Sequence, residues 1–188
     1  MKKIYFLLAT MLFSGAAMAQ STKFGFKAGA NFANNIYSGN GLDISVSSVT
    51  SFHAGGFITL GLAKKMALQP ELLISGQGAK FEGASDNTLY LNVPVMFKYN
   101  AVAGLSFEAG PQIGLLLSAK TKVDSVSFDD KESYNTFDFG ANVGAEYALP
   151  TGLLFNARYT LGLANIAKNF VGLAVKNTVF SLGVGYRF

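Results

Sequence analysis

The chain of 188 residues is half apolar and only 14% charged, against the usual quarter of a soluble domain, and it carries no cysteine. That length suits one domain, and the missing cysteine excludes disulfides, thiolate metal sites and a lipid-modified cysteine. The apolar residues never run for the about 18–20 positions a membrane-crossing helix requires. They alternate with polar ones instead.

The start of the chain forms a separate unit. Lys2 and Lys3 precede an apolar stretch from Ile4 to Phe13, and Ala17-Met18-Ala19 is a small-residue cleavage site. Residues 1–19 are therefore predicted to be a cleaved signal peptide and 20–188 the mature domain. An uncleaved anchor helix is the alternative, but Ser14-Gly15 cuts the run short of a span. Cleavage removes two of the 15 basic residues and leaves 13 against 11 acidic ones. A net charge this small gives no reason to expect nucleic acid as a partner.

From Phe24 onward the pattern has period two, which puts alternate side chains on opposite faces of a strand. Phe24, Phe26, Ala28, Ala30 and Phe32 oppose Gly25, Lys27, Gly29 and Asn31. Phe52, Ala54, Ile58 and Leu60 oppose His53, Gly55 and Thr59, with Phe57 breaking the rule. Leu68, Leu72 and Ile74 oppose Gln69, Glu71, Ser75 and Gln77; Leu89 to Tyr99 alternate with Tyr90, Asn92, Met96 and Lys98. The second half repeats the scheme in four further segments, which begin at Leu105, Phe137, Leu153 and Phe180. Eight candidate strands of roughly 9–13 residues result, matching what a tilted strand needs to cross hydrocarbon. Segments 35–50, 79–87, 119–135 and 163–176 read as long loops, and 63–66, 100–104 and 148–152 as short turns. Such alternation predicts an eight-stranded antiparallel up-and-down transmembrane β-barrel in a bacterial outer membrane, with both termini periplasmic.

A soluble carrier barrel would share this periodicity, and face composition separates the two. The polar face is built from Gly, Ser, Asn, Thr and Gln, too small for a solvated exterior and suited to a crowded lumen. The other face carries large aliphatics and aromatics, with Tyr99, Tyr147, Tyr186 and Phe188 near strand ends as an interfacial girdle. Lys27, Lys98, Arg158 and Arg187 share the small face with Glu71, Glu108, Asp138 and Glu146, so an ion-pair network that plugs the lumen is expected. Pro70, Pro94 and Pro111 interrupt strand patterns and are expected near strand ends or at bulges.

The stretches Tyr90-Leu-Asn-Val-Pro-Val-Met-Phe-Lys-Tyr99, Phe107-Glu-Ala-Gly-Pro-Gln-Ile-Gly114 and Arg158-Tyr-Thr-Leu-Gly-Leu163, with the final Gly185-Tyr-Arg-Phe188, resemble the PorT-like outer-membrane β-barrel family. The resemblance spans nearly the whole mature chain and implies fold and location. A terminal Phe188 in such a family implies an assembly signal read by the barrel-assembly machinery. The family's best-known member takes part in protein secretion, and no catalytic motif carries over.

Three kinds of function stay open. An interaction or structural protein would use loops 35–50 and 119–135 as contact surface for a protein partner, as a monomer embedded in outer-membrane lipid. A narrow transport or solute-binding barrel would need mobile lumen charges, since eight strands leave no aqueous channel. A rim enzyme would have to use His53, the only histidine, with Asp43, Ser45, Ser47, Ser48 or Ser51, yet no spacing singles out a nucleophile. No catalytic residue, cofactor or metal is assigned. Asp129, Asp130 and Glu132 form the sole acidic cluster and read as a solvated loop. Gly183 and Gly185 lie in a strand and read as packing glycines, not a phosphate cradle.

Overall fold

Alternating sequences with β-branched and aromatic residues on one face and small residues on the other have one way to satisfy every backbone group in lipid, which is to close a sheet on itself. The computed structural model describes residues 22–38, 47–81, 83–123, 126–168 and 174–188, and in it the chain does this. The strands are β1 (Thr22–Ser38), β2 (Ser47–Ala63), β3 (Met66–Phe81), β4 (Ala84–Val102), β5 (Leu105–Val123), β6 (Val126–Asp129), β7 (Phe137–Ala148), β8 (Leu153–Gly162) and β9 (Ala174–Arg187). Neighbours in sequence pair antiparallel, except that β5 continues to β7 around the ring and β6 is a short flap on the far end of β5. Closure comes from β1 and β9, paired from Gly25↔Arg187 to Ser38↔Ala174. Eight strands form the ring. The expected signal peptide, residues 1–19, lies outside the described residues.

One end of the barrel, the turn end, holds both described termini and the turns between β2 and β3, β4 and β5, and β7 and β8. Gly104 (φ 83°) and Gly152 (φ 93°) occupy the left-handed conformation in the last two of these turns, where a β-carbon would be strained. At the opposite, loop end the strands run further than the sequence pattern implies. The segment 79–87, expected as a long loop, is a tight hairpin in which Phe81 pairs with Ala84. Positions 119–123 continue β5 instead of starting a loop. Alternation weakens there because these strand ends rise past the apolar band and no longer need an apolar face.

Outward positions at membrane depth carry no charge. Phe24, Phe26, Leu72, Phe107, Phe139, Val143 and Leu182 are exposed on the outer wall, and aromatic rings gather near the turn end, with Phe26, Tyr186 and Phe188 in contact. This is the pattern that lipid contact demands.

The three prolines correct an expectation. None marks a bulge or a strand end. Pro70 falls where the β2–β3 pairing lapses between Phe57↔Glu71 and Leu60↔Leu68. Pro94 falls in the β3–β4 gap between Pro70↔Val95 and Leu73↔Asn92, and Pro111 in the β4–β5 gap between Pro94↔Gln112 and Phe97↔Ala109. In each case pairing resumes in the same register, so the missing N–H groups form one diagonal seam and the barrel absorbs them without a kink.

Candidate functional site

Inward-facing residues come from the small, polar face of every strand, and their chemistry changes along the barrel axis. Nearest the turn end lies an ion-pair network. Arg158 from β8 reaches across the lumen, its Nη1 2.7 Å from Glu71 Oε2 and its Nη2 2.6 Å from Glu108 Oε1, and its Nε donates to Glu108 at 2.9 Å. Lys27 from β1 donates to Glu71 Oε1 at 2.6 Å. Lys98 lies 2.6 Å from Glu146 and 3.8 Å from Glu108. Arg187, the most accessible member, is 3.8 Å from Glu146. Seven of the eight charged lumen residues named from the sequence are thus joined, through carboxylates buried almost completely. Glu71 is the hub, because a carboxylate accepting from a guanidinium and an ammonium at once has both oxygens committed.

Asp138 does not join them. It sits toward the loop end, where one oxygen accepts from Asn177 Nδ2 at 2.8 Å and no cation faces it among the described residues. One polar residue that carries no charge, and so was no candidate from the sequence, is essential to the geometry. Gln69 Oε1 accepts from Lys98 Nζ (3.1 Å) and Thr59 Oγ1 (2.8 Å), while its Nε2 donates to Glu71 (2.9 Å), so it adds a second link between Lys98 and Glu71. Its inward position on β3, two residues from Glu71, was the available signal.

Above the ions lies a neutral layer centred on Asn31, whose amide nitrogen lies 2.9 Å from both Ser75 Oγ and the Gly76 carbonyl. Its oxygen accepts from Ser181 Oγ at 2.8 Å and sits 2.8 Å from His53 Nδ1. With that oxygen accepting, the imidazole donates from Nδ1. His53 is therefore buried well inside the barrel and not at its rim, which corrects its expected place. Its ring lies over a glycine pair: a β-carbon on Gly29 would come within 2.7 Å of His53 Cε1, and one on Gly183 within 3.0 Å of Nε2. No serine hydroxyl is hydrogen-bonded to it among the described residues. Asp43 and Ser45 lie outside the described residues.

Cavities show what remains open. A vestibule of about 880 Å³ at the turn end is lined by Lys23, Lys64, Lys65, Lys98 and Arg187 among others. Deeper in, around Lys27, Asn31, His53 and Arg158, only about 20 Å³ is left, room for about one water. At the loop end Tyr90, Leu116 and Ala119 form a buried apolar cluster, and Tyr134 packs on them.

Tyr134 belongs to a cap. A 3-10 turn at Lys131–Ser133 follows β6, and the chain then ties to the segment after β8 through Asn135 N–H to Ile166 O (2.8 Å) and Lys168 N–H to Ser133 O (2.8 Å). Ile166 is fully buried beneath it. A closed ring of eight antiparallel strands, apolar outside and ion-paired inside, defines the class: a small transmembrane β-barrel.

The outer membrane protein beta-barrel domain family matches residues 18–168, and the chain belongs to it. Solved structures share the fold. The neisserial surface protein A is 14% identical at a TM-score of 0.58, covering 88% of this chain and 97% of its own. The attachment invasion locus protein Ail of Yersinia pestis is 14% identical at 0.54, covering 88% and 98%. No curated protein matches the chain. The protein is an integral outer-membrane β-barrel.

Proposed function

We propose that this protein is a monomeric structural or interaction barrel that works through its loops and carries neither a transport path nor an active site. In this reading the signal peptide is cleaved after Ala19, and both termini and the short turns face the periplasm. The loops then face outward, and Phe188 is presented to the barrel-assembly machinery.

The observation that carries the proposal is the bore itself. Ion pairs joining β1, β3, β4, β5, β7, β8 and β9 cross it, and beside them only about 20 Å³ is left open. Opening this closure would strand several buried charges, each at a cost of several kcal/mol. The loop end, by contrast, spends strand length and hydrogen bonds on a folded surface that the barrel wall does not need.

Photo-crosslinking residues placed at Lys120 and Lys122, exposed on β5 beyond the lipid band, test the reading in intact cells. A discrete protein adduct from these positions supports it. Solute uptake by proteoliposomes holding the purified barrel, with no adduct from the loop end, would replace it with the transport alternative.

A further inference from the structure

The cap encloses a cavity of about 240 Å³ lined by Tyr37, Phe81, Asp86, Asp130, Ser133 and Tyr134 among others. Three aromatic rings form its walls. Tyr37 and Phe81 meet edge to face with centroids 5.9 Å apart, and Tyr134 stands across from them, its phenol hydrogen-bonded to Asp86. The rings come from three separate places, the end of β1, the end of β3 and the segment after β6.

Two carboxylates enter the same space, and hydroxyl groups alone are hydrogen-bonded to them. Thr121 Oγ1 lies 2.9 Å from Asp86 Oδ1 and 3.3 Å from Asp130 Oδ2, so one hydroxyl proton serves both. Ser133 donates to the other oxygen of Asp130 at 2.5 Å. Neither aspartate has an ion pair among the described residues. The Tyr134 phenol is held above its usual range by burial first, and then by the nearby charge of Asp86, with Tyr37 and Asp130 adding to it.

Among the described residues no cation is paired with them. Lys80, Lys120 and Lys122 are exposed and alternate onto the outer face of β3 and β5, and half-buried Lys176 of β9 alternates outward beside the lining Val175. Lys131 Nζ is engaged by the Leu117 carbonyl at 3.0 Å, and Lys168 is exposed beside the lining Ala167 without an ion pair. The remaining loop segments, 39–46, 82, 124–125 and 169–173, contain Asp43, Glu82 and Asp124 and no Lys or Arg. The two carboxylates are therefore open to a positive charge from outside the chain.

We propose that the cavity walled by Tyr37, Phe81 and Tyr134 and carrying Asp86 and Asp130 binds an organic cation, an ammonium or guanidinium group a few heavy atoms across. Aromatic faces attract such ions through the ring quadrupole, and carboxylates add charge and hydrogen-bond acceptors. A bare metal ion would want more oxygen ligands than two carboxylates and would gain nothing from three rings. The site rests on the loop-end interaction proposed for the barrel and gives it a chemistry: the recognised feature of a partner or ligand is a compact cationic group.

Isothermal titration of the full mature barrel, folded in detergent, tests this with four probes: tetramethylammonium, N-acetyl-arginine amide, calcium and glucose. Saturable binding of the first two is expected, weakened at least tenfold in both Asp86→Asn and Asp130→Asn. Tighter binding of N-acetyl-arginine amide would point to a protein side chain as the source, and tighter binding of tetramethylammonium to a free amine. Tyr37→Leu, which keeps the charge and removes a ring, should weaken the organic cations as well. Each variant is first checked for the gel-mobility shift of a folded barrel, so that lost binding is not lost folding. Calcium binding without the organic cations, glucose binding indifferent to both aspartates, or no binding at all would overturn the site. If the purified barrel binds the cations while the Lys120 and Lys122 positions give no adduct in cells, the site stands and the interaction role falls. Adducts without cation binding would keep the interaction role and overturn the site.

Discussion

The two halves of the lumen are lined by the same small face of the same strands, yet they solve the problem of buried polarity differently. In the turn-end half, Arg158, Lys27 and Lys98 are set against Glu71, Glu108 and Glu146, with Gln69 spanning the gap. In the loop-end half the groups are mostly neutral, and several buried oxygens find no close hydrogen-bond partner among the described residues, including Asn35 Oδ1, Tyr90 OH, Asn92 Oδ1, Asp138 Oδ1 and Asn177 Oδ1. At the turn end Glu108 Oε2 and both Glu146 oxygens lack a hydrogen bond too, but there Lys98 and Arg187 supply the countercharge. Charged groups placed where the bore is narrowest must pair or leave, whereas amides and hydroxyls under a cap can share waters at small cost. Buried charge is thus answered by countercharge at the turn end, and buried neutral groups gather near the loops.

Substitutions can break or sharpen this contrast. The largest effect is expected from Glu71→Ala, which strands Lys27 and leaves Arg158 to Glu108 alone. A loss of about 3–5 kcal/mol is expected from breaking a buried pair, read by urea unfolding of the barrel in lipid vesicles. Next comes Gln69→Ala, which removes the amide that links Lys98 and Thr59 to Glu71 while leaving every charge in place. About 1–3 kcal/mol should be lost in the same assay, as for an unsatisfied buried donor and acceptor. In the loop-end half the sign reverses. Asp138→Asn removes a buried carboxylate that has no cation and keeps an acceptor for Asn177, so stability should rise by about 1 kcal/mol. A loss as large as that of Glu71→Ala would mean that Asp138 has a charged partner after all. The smallest effect should come from Tyr90→Phe, which deletes a hydroxyl with no close partner among the described residues and keeps the ring that packs on Leu116 and Ala119. Its urea midpoint should stay within experimental scatter of the parent.

Much of this arrangement was legible in the chain itself. Period two separates lipid face from lumen face at nearly every position, so Lys27, Glu71, Lys98, Glu108, Glu146, Arg158 and Arg187 could be placed inside without coordinates. Their pairing could not, because it depends on the stagger between strands. That stagger brings Arg158 to Glu71, 87 positions away in sequence, and leaves Asp138 a full layer apart. Phe57 shows a second limit. It breaks the alternation by pointing inward, and room for it comes from Gly25 on the neighbouring strand, where a β-carbon would collide with the ring. The prolines misled for a related reason. A missing N–H reads as a strand end when one strand is considered alone, but Pro70, Pro94 and Pro111 line up into a seam once three strands are side by side. The loop-end cavity was the least visible of all, since Tyr37, Asp86 and Tyr134 are ordinary residues until the cap assembles them.

The central claim, that the bore is sealed, is tested most directly by conductance of the purified mature barrel in planar lipid bilayers. The ion-pair network predicts a silent membrane for the parent protein, with steps appearing only when Glu71 is replaced. Steady, large unit steps from the unaltered chain would contradict it and make the lumen a passage.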